Sequence, residues 1–213
     1  MGLRLIYRTY REGNRDRAMN ALSDTCELLG HPIDLKRDYN LPKLTNERHQ
    51  AIFEELDAQD KALLRIGFSE KAFTLYLPYL SGIDFRISKA IGIELGCPWF
   101  EIRIQEGNHW DYSFYKGVEH IDQFSADPRY FGGSRWKARG NPRLIEREWG
   151  IDHDSISRYV KHWHWFRRGK AYPDDKASYG DYEQFFDFLR AIGAPSPEDH
   201  YYALDVSDKT ANN

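Results

Sequence analysis

Asp111, Ser113, His120 and Asp122 stand within one short stretch of this 213-residue chain. Two carboxylates, a hydroxyl and an imidazole are the groups from which general acid–base catalysis or a metal site is assembled. Their spacing alternates with bulky residues. If Lys116-Gly117 forms a two-residue hairpin turn, Tyr115 pairs with Val118, Ser113 with His120, and Asp111 with Asp122. The four polar residues then share one exposed sheet face, while Trp110, Tyr112, Phe114 and Ile121 take the buried one. Opposed aspartates repel unless His120 protonates, a cation binds or an Arg intervenes. A solvated face of an antiparallel sheet has the same composition, so the patch is held as a candidate hydrolase or metal site and nothing more.

The commoner catalytic signatures do not occur. The chain has no G-x-x-x-x-G-K-[ST], no G-x-G-x-x-G, no G-x-S-x-G and no H-E-x-x-H. No catalytic residue is therefore assigned, and neither a cofactor nor a metal is expected. Two cysteines, Cys26 and Cys97, lack the paired spacing of a metal site and suit a reducing cytoplasm. The opening residues lack the apolar run of a signal peptide, and the longest uncharged stretch, 72–83, is too short to cross a bilayer. A soluble, cytoplasmic protein with no membrane partner is expected.

Charge is distributed unevenly. The chain is acidic overall, at −3, yet residues 129–170 hold eleven Lys and Arg against four Asp and Glu. That segment either forms a positive face for a partner or pairs with the acidic remainder of its own chain. Within it, Leu144 and Ile145 fall inward on a helix near 142–149, and Gly150 and Ile151 make a turn. Ile156, Tyr159 and Val160 then fall inward on a second helix over 153–167, capped by Asp152. Over about twenty residues this spacing resembles the bacterial helix-turn-helix. The resemblance implies a second helix lying in the major groove, with His153, Ser155, Ser157, Arg158 and His162 turned outward. Glu146 departs from the pattern, because a small residue is preferred there and a carboxylate must be pushed out or paired. On the same helical projection Trp163 faces the core. Trp165 faces solvent beside Arg158, Lys161, His162 and Arg168, an arrangement suited to gripping a partner.

The elements that must position these groups follow from periodicity. Leu3 to Thr9 alternates as a strand, Asn14 caps a helix bearing Ala18, Ala21, Leu22 and Cys26, and Ile33–Arg37 reads as a second strand. A helix capped by Thr45 and a strand at 62–68 complete a layered unit. Residues 72–80 fit helix and strand equally, and Pro78 tips the reading toward a short helix. A helix bearing Ile87, Ile91 and Leu95 precedes a three-stranded antiparallel meander over 99–124. The expected fold is α+β. Residues 1–128 form a layered portion with a mixed sheet that ends in the meander, and residues 129–213 form a helical portion docked on it. The leading functional expectation is a non-catalytic intracellular interaction protein, of the kind that neutralises a toxin by binding it, with a protein partner. Nucleic-acid binding through 129–170 is the rival.

Overall fold

A computed structural model describes residues 4–29, 33–39, 63–78, 85–105, 109–130, 137–162, 183–195 and 201–206. The α+β class holds. In chain order the elements are β1 (Arg4–Tyr10), α1 (Arg15–Leu28), β2 (Ile33–Tyr39), β3 (Leu63–Phe68), β4 (Phe73–Pro78), α2 (Phe85–Leu95) and β5 (Pro98–Gln105). They continue with β6 (His109–Lys116), β7 (Glu119–Ser125), α3 (Pro142–Trp149), α4 (His153–Ser157), α5 (Glu183–Ala191) and β8 (Tyr201–Val206). The eight strands form one sheet in the order β2-β8-β3-β4-β1-β5-β6-β7. The sheet was expected to be mixed, but every pairing is antiparallel. The reason lies in the neighbours: β1 sits between β4 and β5, and β2 pairs with β8, so no helix joins two adjacent parallel strands.

Helices cover both faces. Side chains alternate across each strand, so β5 sends Trp99 to one side and Phe100, Ile102 and Ile104 to the other. On the Trp99 face lie Tyr10, Phe73 and Leu75, packed under Ala18, Leu22 and Cys26 of α1 and Ile87, Ile91 and Leu95 of α2. On the Phe100 face, Tyr7, Trp110, Tyr112 and Phe124 meet Ile145 and Trp149 of α3, Ile156 of α4 and Phe185, Phe188 and Leu189 of α5. The C-terminal helices thus share a core with the meander. Nor is the C-terminal portion helical alone, since β8 inserts between β2 and β3.

Residues 73–78 are a strand, not the short helix that Pro78 suggested. Ser69 does not cap a helix. Its Oγ accepts from the Ala72 N–H at 3.0 Å and closes a hairpin turn, with Phe68 opposite Phe73. Phe73 and Leu75 face α1 and α2, while Thr74 is buried on the other face and bonds the Thr9 hydroxyl at 2.8 Å, so an alternation that also fits a helix resolves as strand only through its neighbours. The helix expected after Thr45 lies outside the described residues.

Trp99 shows how closely the layers approach. Its ring stacks on Tyr115 at 4.3 Å and its Nε1 donates to the Gly117 carbonyl at 3.0 Å. Above it, a Cβ on Gly92 of α2 would stand 2.5 Å from Trp99 Nε1. In a free helix Gly→Ala gains about 1 kcal/mol. Gly92→Ala is instead expected to lose about 1–3 kcal/mol, because the fixed indole cannot yield to the added methyl. Urea denaturation of the variant checks the sign.

Candidate functional site

The meander forms as expected, with one change that reorganises the polar patch. The turn moves one residue along, to Gly117 and Val118, so that Lys116 pairs with Glu119 and Tyr115 with His120. A bulge between Phe114 and Tyr115 then shifts the register again, placing Phe114 opposite Asp122 and Asp111 opposite Ser125. One extra residue reverses the side on which the following residues point. Asp111, Ser113 and His120 stay on the Trp99 face, whereas Asp122 joins Tyr112 on the Phe100 face. The four-residue cluster is not assembled.

The two aspartates have separate tasks. Asp111 is buried, and both its oxygens accept from Arg103, Nε to Oδ1 at 2.8 Å and Nη2 to Oδ2 at 3.0 Å. Arg103 does not stand between the two aspartates, since Asp122 lies on the other face; it pairs with Asp111 alone. Burial pushes the Asp111 carboxyl above its ordinary range, against the opposing pull of Arg103. With both oxygens engaged, Asp111 is not placed to act as a base. In the next cross-strand row Arg8 Nε donates to Glu101 Oε2 at 3.0 Å, a second buried pair that sequence reading missed. Cross-strand partners were the available signal, since Arg8 faces Glu101, and Arg103 faces Asp111, once β1, β5 and β6 are aligned.

Asp122 serves as a local anchor. One of its oxygens accepts from the Tyr112 hydroxyl and from the Asn141 N–H, each at 2.9 Å. Asn141 in turn caps α3 by accepting from the Leu144 N–H at 3.2 Å. Burial raises the Asp122 carboxyl, and it raises the Tyr112 phenol well above its usual range.

The basic segment is built around this anchor. Residues 137–140 run beside β7: the Ser125 N–H donates to the Ala138 carbonyl and the Gly140 N–H to the Gln123 carbonyl, each at 2.9 Å. His162 Nε2 lies 2.9 Å from the same Ala138 carbonyl. Gly140 has φ +69°, and a Cβ there would strike Val160 and stand 2.7 Å from the Tyr112 hydroxyl oxygen. The backbones bearing Lys137, Arg139 and Lys161 therefore meet at one edge of the sheet, and Arg143 follows on the first turn of α3. All four cations are exposed, and none has an ion-pair partner among the described residues.

Carboxylates in the same region are engaged internally. Glu148 accepts from Lys116 and Arg147, each at 2.8 Å, and these donors hold its carboxyl below the usual range. Asp152 caps α4 by accepting from the Asp154 N–H at 3.1 Å. Glu146, the residue that departs from the helix-turn-helix pattern, is pushed outward and lies 3.2 Å from His153 Nδ1. Glu146, Asp152 and His153 are the described residues whose donor atoms could converge on one metal ion, lying within 4.8 Å of one another. Two of the three are exposed, and His153 Nδ1 is buried with no hydrogen-bond partner among the described residues.

The helix-turn-helix reading is corrected at its second helix. Gly150 takes φ +78° and ends α3, and Ile156 and Val160 are buried as expected. However, α4 stops at Ser157 instead of running to 167. The Ser155 and Ser157 hydroxyls bond carbonyls three residues back, which competes with helix continuation. A five-residue helix of about 7.5 Å does not hold His153, Ser155, Ser157, Arg158 and His162 in one outward row. The helical phase that placed Trp165 outward no longer applies. Trp163, Trp165 and Arg168 lie outside the described residues. Lys161 is exposed, whereas Arg158 and His162 are half-buried.

No helix among the described residues is long and apolar enough to cross a membrane. Comparison with protein-family models, curated proteins and solved structures gave no match.

The raised carboxyl of Asp122 has a pH signature. A folded-state pKa above the unfolded value contributes stability that is complete below about pH 4, and the contribution is lost as pH rises through the folded pKa. Asp122→Asn removes the buried charge while keeping an oxygen acceptor. The melting temperature of the variant minus that of the wild type is expected to be most positive near neutral pH and to shrink as pH falls toward 4. Thermal melts across this range check the trend.

Proposed function

We propose that this chain is a non-catalytic recognition protein that docks an acidic surface of a protein partner through its basic edge. One observation supports this reading. Lys137, Arg139, Arg143 and Lys161 are exposed without ion-pair partners among the described residues, while Asp122 and Glu148 are engaged by donors of their own fold. The charge of the segment is thus offered outward. Hydrogen bonds to β7 and the packing of Gly140 on Val160 fix the backbone beneath it, so little ordering entropy is lost on binding.

A protein partner is favoured over a nucleic acid because the positive strip is short. It gives way at the α3–α4 turn to the exposed side chains of Glu146, Asp152 and Asp154. A phosphate backbone carries charge continuously, about one per 1.7 Å of duplex, whereas protein interfaces match patches of both signs. Two buried free cysteines, Cys26 and Cys97, suit a partner met in a reducing cytoplasm.

The test is a binding titration with poly-L-glutamate, duplex DNA and single-stranded DNA, each at two salt concentrations. Poly-L-glutamate is expected to bind best, and salt should weaken it. The triple variant Lys137→Glu, Arg139→Glu, Lys161→Glu should abolish that binding while changing stability by under about 0.5 kcal/mol per site. Tighter DNA binding with a steep salt slope that the triple variant removes would replace the protein-partner reading. Retention of no polyanion at low salt would refute the basic edge.

A further inference from the structure

A second site lies on the Trp99 face, apart from the basic edge and independent of it. Beyond the helices α1 and α2, cross-strand rows of β5, β6 and β7 form a polar floor. One row holds Glu101, Ser113 and Gln123, and the next holds Arg103, Asp111 and Ser125. An aromatic stack stands at each end, the one at Trp99 buried under α2 and the one at Tyr130 exposed. Tyr115 lies on Trp99 at 4.3 Å, and Tyr130, brought over by the turn at 127–130, lies on His109 at 3.9 Å and 9°. Same-side residues repeat about every 6.7 Å along a strand, so the rows of Tyr115 and His109 stand about 20 Å apart.

Arg103 is the group that this trough presents. Its side chain is 41% exposed, while that of Asp111 beneath it is 5% exposed. Nε and Nη2 are held by Asp111, which fixes the guanidinium plane and leaves Nη1 without a partner among the described residues. The Arg8–Glu101 pair alongside is buried. In the Arg103 row, the hydroxyl of Ser125 is buried, 4% exposed as a residue, and has no hydrogen-bond partner among the described residues. A buried hydroxyl of this kind costs stability until something bonds to it.

We propose that this trough binds a small molecule carrying a carboxylate on a flat apolar body. The carboxylate meets Nη1 of Arg103, a charge-assisted hydrogen bond from a pre-oriented donor. The flat body lies toward the exposed Tyr130 of the His109 stack, one cross-strand row from Arg103, where ring stacking adds to burial. Asp111 is a positioning residue: it does not touch the ligand but fixes the plane of the guanidinium that does. The arrangement is that of an interaction hot spot, a fixed arginine beside aromatic rings, on the scale of a small ligand.

Sodium benzoate is the probe, with benzamide as its uncharged isostere. The readout is the Arg103 Nε–Hε resonance in the full chain, with binding in about the millimolar range for a ligand of this size. Benzoate should shift that resonance saturably, and benzamide should bind about tenfold or more weakly because it lacks the charge. Arg103→Met should lose benzoate binding to the same extent. Arg103→Lys, which keeps the charge but not the oriented fork, should retain part of it. Thermal melts establish that each variant folds, and the benzoate–benzamide comparison on the wild type stands without them. The proposal is overturned if benzoate leaves the resonance unmoved, if benzamide binds equally well, or if folded Arg103→Met binds benzoate as the wild type does. None of these outcomes bears on polyanion binding by Lys137, Arg139 and Lys161.

Discussion

A β-strand has two sides, and in this protein each side of β5 meets a different layer. Trp99 lies under α1 and α2, and Glu101 and Arg103 on the same side pair with Arg8 and Asp111, while residues 100, 102 and 104 face the C-terminal helices. That strict alternation holds the rest of the structure in place. Shifting β5 by one residue would bury Glu101 and Arg103 among Trp149 and Phe188 and expose Phe100, at a cost far above ordinary stability margins. Because both faces of the sheet are covered, registry is fixed from above and below. The two Arg–carboxylate pairs fall opposite one another as a consequence of that registry.

A single irregularity in this order produces the molecule's second surface. The bulge between Phe114 and Tyr115 moves Asp122 to the Phe100 face, where it takes the Tyr112 hydroxyl and the Asn141 N–H. Asn141 caps α3, and the segment before it runs along β7 carrying Lys137 and Arg139. Had the meander kept its simplest register, Asp122 would face Asp111 and repel it, and the start of α3 would lack its anchor. A candidate catalytic group thus serves as the foundation of a binding edge.

The two surfaces differ in physical character. At the basic edge, exposed lysines and arginines act over a distance set by ionic strength, which suits steering toward an acidic partner. On the trough floor, one arginine is fixed by a buried carboxylate, which suits short-range geometric selection. Neither surface places a hydroxyl, an imidazole and a free carboxylate within reach of one another among the described residues.

Local chemistry was legible in the sequence wherever one face was apolar and the other was not. The opening strand, the helix capped by Asn14, the helix bearing Ile87 and Ile91, the meander, the glycine turn at 150 and the cap at Asp152 follow from period and capping residues alone. The uneven charge of residues 129–170 was equally plain. Three features were not legible from period and caps. The strand at 73–78 is buried on both sides over 73–76, and its apolar spacing fits helix and strand equally until β1 and β3 pair with it. The stop of α4 at Ser157 comes from hydroxyls that bond the backbone locally, in a segment whose apolar spacing still reads as helix. The partners of Asp111 and Asp122 were decided by a bulge and by a neighbouring strand, and period-2 alternation cannot count an extra residue. Sequence thus determined most of the elements and their apolar sides, since those depend on neighbours within a few residues. Tertiary structure decided which charges are paired and which are left for a partner, because pairing depends on register across strands up to 93 residues apart in the chain.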